Sequence, residues 1–200
     1  VNEAFAGRTY PLTEPFSVGR EHIRDFATAV GATAPEHHDV EAARAATEHL
    51  LDAGRSRIAL VGAGPGDVRG ASSLRLRGYK EALAARGIPV DETLIVGEDR
   101  WHRDKGSDAV ETLLARGARI DAVLALNDLL AFGAIHALKR NGLSVPQDVA
   151  VIGFDDTEAA QYTVPSLSSI NPGREEIATL CVKLLAERIE AATTDPGLPP

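Results

Sequence analysis

Four stretches of the chain repeat one pattern: apolar positions at helical spacing, a glycine, then an unbroken apolar run. They are EHLLDAGRSRIALVG (48–62), EALAARGIPVDETLIVG (81–97), ETLLARGARIDAVLAL (111–126) and IHALKRNGLSVPQDVAVIGF (135–154). Val110, Leu113 and Leu114 illustrate the first part, since steps of three and four line one face of a helix. Gly54, Gly87, Gly117 and Gly142 fall where a helix needs a residue in the left-handed region to stop. The runs Ile58–Val61, Thr93–Val96, Ala122–Leu126 and Val149–Phe154 then read as strands covered on both faces. Strands alternating with helices of this length predict a parallel sheet wound by right-handed crossovers, an α/β fold with helices on both faces.

The ends follow other patterns. Residues 1–18 show no clear period, whereas EHIRDFATAVG (21–31) places Ile23, Phe26, Ala27 and Val30 on one helical face. Near the other end, Ile177, Leu180, Cys181, Leu184, Leu185 and Ile189 mark a long amphipathic helix, in which Cys181 is expected to pack into a core. The chain opens on VNE and stops on the loop TTDPGLPP, as expected of a fragment.

Composition narrows the function. A chain of 200 residues, 44% hydrophobic and 25% charged, fits one domain or two small lobes with a sizeable core. The net charge of −8, without any Lys/Arg block, makes it a poor nucleic-acid binder by itself. One cysteine allows no internal disulfide, which fits a reducing compartment. Neither a signal peptide nor a span of about 20 apolar residues is visible, so no membrane insertion is expected; export stays open, because a leader can lie outside the given sequence.

Catalytic and cofactor motifs fail on spacing. LVGAGPGDVRG (60–70) follows a strand, but the dinucleotide pattern counted from Gly62 needs glycine where Asp67 stands. The Walker phosphate loop, the G-x-S-x-G elbow and the H-E-x-x-H metal helix are all absent. His37 and His38 read as surface loop. No cofactor, metal or enzymatic step is expected.

The run DVAVIGFDD (148–156) raises the sharper question, because an apolar strand ends on two carboxylates. Strand carboxyl ends open into the crevice where α/β proteins hold ligands. The pair is either a ligand contact or the polar start of a turn.

The segment DAVLALNDLLAFGAIHALKRNGLSVPQDVAVIGFDDTEAAQYTVPSLSSI (121–170), with EHLLDAGRSRIALVG and RLRGYKEAL (75–83) upstream, resembles the lactose-repressor/galactose-repressor family of bacterial transcription regulators. The likeness covers roughly residues 37–190. It implies a periplasmic-binding-protein-like (type I) sensor that holds a small effector, often a sugar, between two lobes. On this reading residues 1–37 are a remnant of the N-terminal lobe plus an unusual insertion. Residues 38–170 are the C-terminal lobe, and 171–200 a truncated crossover and helix returning to the first lobe. The resemblance also implies a cytoplasmic homodimer that meets operator DNA through a helix-turn-helix domain not visible here. Leu129, Leu130, Phe132 and Ile135 spread over more than one face of helix 129–140, whereas a helix facing only its own sheet needs a single stripe; the second face meets either a partner subunit or another helix of the same chain.

The resemblance assigns effector contacts to Arg75, Trp101, Asn127 and Asp155, with Asp156 organising the following turn. Asn2 and His37, which would line the other lobe, and Ala71 are looser carry-overs. The residue types suit a polyol, which planar groups can grip with two hydrogen bonds while an aromatic face covers its C–H side. Each has a plainer alternative: Asn127 as a helix cap, Arg75 as a solvated helix charge, Trp101 as core. The competing functions are an exported solute-binding protein of a sugar transporter and a sugar-metabolising enzyme.

Overall fold

The computed structural model describes residues 35–68, 70–97 and 100–194. Chain order is α1 (Pro35–Asp52), β1 (Ile58–Val61), α2 (Gly70–Ala85), β2 (Ile95–Val96), α3 (Arg103–Ala115), β3 (Ala122–Ala125), α4 (Asp128–Arg140), β4 (Ala150–Phe154), β5 (Ser168–Ile170) and α5 (Arg174–Thr194). The five strands form one parallel sheet in the order β2-β1-β3-β4-β5. Its register is set by pairs such as Leu60 with Leu124 and Leu124 with Ile152. The fold class is the expected one.

Sequence pattern explains most of these elements. Each of the four stop glycines lies in the left-handed region, with φ between 66° and 82°. The interior strands β1 and β3 are buried at every position, matching their continuous apolar runs. At the sheet edge, β2 is shorter than Thr93–Val96. Asp91 accepts hydrogen bonds from the Thr93 N–H (3.1 Å) and hydroxyl (2.6 Å), and these wind Glu92–Leu94 into a 3-10 turn. Leu126 and Val149 flank β3 and β4 rather than belonging to them, although the Leu126 N–H still donates to the Val61 carbonyl at 2.9 Å.

The chain moves one way from β1 to β2, then back past β1 to β3, β4 and β5. Right-handed crossovers therefore put α2 on one face and α3 and α4 on the other. Glycines allow each helix pair to close up. A Cβ at Gly78 of α2 would meet Ala43 of α1 at 3.1 Å, and one at Gly133 of α4 would meet the Ser107 nitrogen of α3 at 2.7 Å.

Two expectations are revised. The second apolar face of α4 is covered by α3 within the same chain: Leu130, Ile135 and Leu138 are buried, and Phe132 is half-buried beneath the Arg103 guanidinium. Its pattern therefore needs no partner subunit to explain it. Cys181 is half-buried rather than in a core, on a helix whose Ile177, Val182 and Leu185 are more than half exposed among the described residues. The segment 21–31 lies outside the described residues. No helix of the described residues is long and apolar enough to cross a membrane.

Candidate functional site

Between β1 and β3 the direction of winding reverses, and at such a switch point α/β sheets hold ligands in a crevice beyond the strands' carboxyl ends. The residues that reach this edge come from α2, from the loop before α3, from the β3–α4 junction and from the end of β4.

Arg75 lies at its centre. It projects from α2 and is only 8% exposed, which excludes a solvated helix charge. Nε donates to the Asp39 carboxylate at 2.7 Å, and Nη1 donates to the Leu126 carbonyl at the end of β3. The guanidinium carbon lies 3.5 Å from the centroid of Phe154, the last residue of β4, and 5.3 Å from that of Trp101. Stacked on Phe154 and held on two edges, the guanidinium has one orientation. Nη2 makes no hydrogen bond within the described residues and remains available at the crevice.

Trp101 and Asn127 are tied to one another. The indole N–H donates to the Gly62 carbonyl at 2.8 Å, fixing the half-buried ring over the end of β1. Asn127 is the N-cap of α4: its Oδ1 accepts the Leu130 N–H at 2.8 Å, and its Nδ2 donates to the Trp101 carbonyl at 3.3 Å. The capping alternative is thus realised, and one Nδ2 hydrogen remains beyond these bonds. Ala71 stands one helical turn before Arg75 on the same face of α2, half-buried.

Asp155 follows Phe154 directly, and its backbone has φ 103°. Asp156 has φ 48°, so two adjacent non-glycine residues occupy the left-handed half of φ space. Such conformations cost of order 1–3 kcal/mol each and persist only where surroundings dictate them. The Asp156 N–H donates to Ser169 Oγ at 2.9 Å, and its Oδ2 accepts from Asn171 at 2.8 Å. Asp156 therefore organises the turn, as read from the sequence.

The structure thus gathers Arg75, Trp101 and Asn127 into one connected cluster, with Asp155 adjoining it through Phe154. His37 and His38 fall in the first turn of α1 rather than in a loop, just before Asp39, and Asn2 lies outside the described residues. Sequence reasoning missed Asp39 and Phe154. The signal for Phe154 was present, because an aromatic ring ends the strand on which the Asp pair stands. No group of three or more metal-capable side chains occurs among the described residues. A recess of about 500 Å³ lies at the sheet's opposite end, lined by Tyr79, Arg57 and Asp91 among others. Arg57 and Asp91 are paired with each other at 3.3 Å, so volume alone does not mark a site there.

A five-stranded parallel sheet with a polar cluster on its carboxyl edge is the arrangement in which α/β domains hold small ligands. The chain belongs to the periplasmic binding protein-like domain family, whose model matches residues 47–199, and its relatives are LacI-family transcription regulators. It is 41% identical over 153 residues to the HTH-type transcriptional regulator CelR of Thermobifida fusca, an alignment covering 76% of this chain and 44% of that protein. Among solved structures, one described as a LacI-family transcriptional regulator of Sanguibacter keddieii superposes with a TM-score of 0.74 at 47% identity. That match covers 80% of this chain and 57% of the other. The transcriptional regulator CelR in complex with cellobiose superposes with a TM-score of 0.63 at 38% identity, covering 74% and 46%. The chain spans less than half the length of the curated relative CelR.

Proposed function

We propose that this chain is the effector-sensing part of a sugar-responsive bacterial transcription regulator. A sugar held between two lobes alters the whole protein's affinity for operator DNA. The observation that carries this reading is the immobilised Arg75, stacked on Phe154 and bonded to Asp39 and Leu126, with Nη2 left at the strand-reversal crevice. Around it, the Asp155 carboxylate, the second N–H of Asn127 and the fixed Trp101 ring supply the planar hydrogen-bonding groups and apolar face that suit a polyol. The cellobiose complex of CelR supports a sugar as the ligand class. The regulator relatives favour this reading over a transporter's solute-binding protein. In the same reading the protein works in the cytoplasm by binding alone, without an enzymatic step, as a homodimer whose DNA contact comes from a helix-turn-helix domain.

The test is a thermal-shift screen of a protein in which both lobes are complete against mono- and disaccharides, beginning with cellobiose, followed by calorimetric titration of its variants. Losing one charged partner in a desolvated site costs about 2–5 kcal/mol, which is more than tenfold in affinity. Asp155→Ala and Arg75→Lys are each expected to weaken binding beyond tenfold with an unchanged circular dichroism spectrum. Lysine keeps the charge but loses the stacked planar fork. Wild-type affinity in both variants would overturn the site.

A further inference from the structure

Asp128 is the first residue of α4 and is wholly buried, yet it pairs with no cation among the described residues. Its Oδ2 accepts from the Thr157 N–H at 2.7 Å and the Thr157 hydroxyl at 2.8 Å. Its Oδ1 accepts from Ser169 Oγ of β5 at 2.6 Å. Ser169 Oγ in turn receives the Asp156 N–H, while the Asp155 N–H donates to the Ile170 carbonyl at 2.9 Å. Three successive backbone N–H groups, at 155, 156 and 157, are thus each tied down, two of them through the Asp128–Ser169 pair. These residues span the turn in which Asp155 and Asp156 take positive φ.

We infer that Asp128, acting through Ser169 and Thr157, is the positioning residue that holds the strained 155–157 turn and so fixes Asp155 at the crevice edge. The carboxylate suits this task because it accepts only, and it meets three donors converging from a loop and a neighbouring strand. Its place at the amino end of α4 adds the favourable end of the helix dipole. The residue that opens the helix after β3 therefore shapes the loop after β4, linking two parts of the crevice edge. This deepens the proposed sugar site and rests on it for the binding consequence, but the backbone claim stands without any ligand.

The experiment compares wild type with Ser169→Ala, Ser169→Thr and Asp128→Asn. Backbone carbon shifts and three-bond HN–Hα couplings at Asp155 and Asp156 report the sign of φ. Amide exchange at 155–157 reports protection, and calorimetry with cellobiose reports binding. Ser169→Ala and Asp128→Asn are expected to lose the positive-φ signature and to exchange these amides at least tenfold faster, while β1 and β3 amides keep their wild-type rates. Ser169→Thr, which keeps the hydroxyl, restores both readouts. Where wild type binds cellobiose, Ser169→Ala weakens it at least tenfold. Wild-type shifts and exchange at 155–157 in Ser169→Ala and Asp128→Asn would overturn the inference. So would a loss in Ser169→Ala that threonine does not rescue, or one spread evenly over the sheet. If wild type binds no cellobiose, the ligand-free shifts and exchange rates still decide the positioning role.

Discussion

Tyr79 lies at the end of the sheet away from the crevice, 1% exposed, its hydroxyl donating to the Ile58 carbonyl at 2.9 Å. Burial, reinforced by the nearby Asp91 charge, pushes its phenol up from about 10 to about 12. A raised phenol pKa means that folding favours the neutral form. The stabilisation is complete below pH 10 and is lost as pH rises from about 10 through about 12. Two pKa units correspond to roughly 2–3 kcal/mol. Urea unfolding at pH 9 and pH 11.5 should show Tyr79→Phe losing less stability across that interval than wild type. Equal losses would remove Tyr79 as the source. The same contrast between identity and surroundings governs the candidate site. Arg75, Trp101, Asn127 and Asp155 were legible because they sit in a recognisable order of motifs. Asp39, Asp128 and Ser169 were not, since an ion pair 36 residues apart and a bond 41 residues apart exist only after folding. Asp128 stood in the Asn-Asp pair opening α4, yet nothing local says that its side chain leaves the helix for β5.

Helix pairs on the two faces of the sheet close up around glycine, and this sets their tolerance to a single methyl group. At Gly133 a Cβ would press on α3 backbone, 2.7 Å from the Ser107 nitrogen, and backbone cannot swing aside. Gly133→Ala is expected to cost about 3 kcal/mol, the upper part of the usual overpacking range. Gly54→Ala is the control: it meets nothing within 4 Å and bears only the left-handed penalty at φ 82°, roughly 1 kcal/mol. Denaturant midpoints for the two variants would check the order, and an equal shift would argue against backbone contact between α3 and α4. Elements with a strong repeating pattern were readable from the sequence, which is why β1, β3, β4 and their stop glycines emerge as expected. β5 was not, because Ser168–Ile170 is three residues long, two of them serine, and half-exposed, with no apolar run to mark it. Its pairing with β4 depends on tertiary contact, as does the trimming of β2 by the Asp91 turn. On α4 the spread of apolar positions was legible, and with it the choice between a partner subunit and another helix of the chain, but not that α3 is the helix that packs there.

Charge acts over the whole molecule. The chain carries 29 acidic against 21 Lys and Arg residues, and several of the basic ones are already engaged: Arg57 with Asp91, Arg75 with Asp39, Arg86 with Asp52. Arg55 is likewise spent on the carbonyls of Pro146, Gln147 and Asp148. A protein that binds duplex DNA through phosphates gains affinity as salt falls, because it releases condensed counterions. A chain of net charge −8 should behave oppositely. Lowering salt from 0.1 M to 0.01 M stretches the screening length from about 10 Å to about 30 Å, which extends its repulsion from the phosphate backbone. Fluorescence anisotropy of a labelled random-sequence duplex, titrated with this chain at both salt concentrations, should show no binding even near 10⁻⁴ M, the weak end of ordinary non-specific affinity. The proposed division of labour depends on this result, since it leaves DNA contact to a separate domain and effector contact to the sheet edge around Arg75. Anisotropy that climbs as salt is withdrawn would reveal a basic face strong enough to outweigh the net charge, and the effector-sensing role could no longer be assigned to this chain alone.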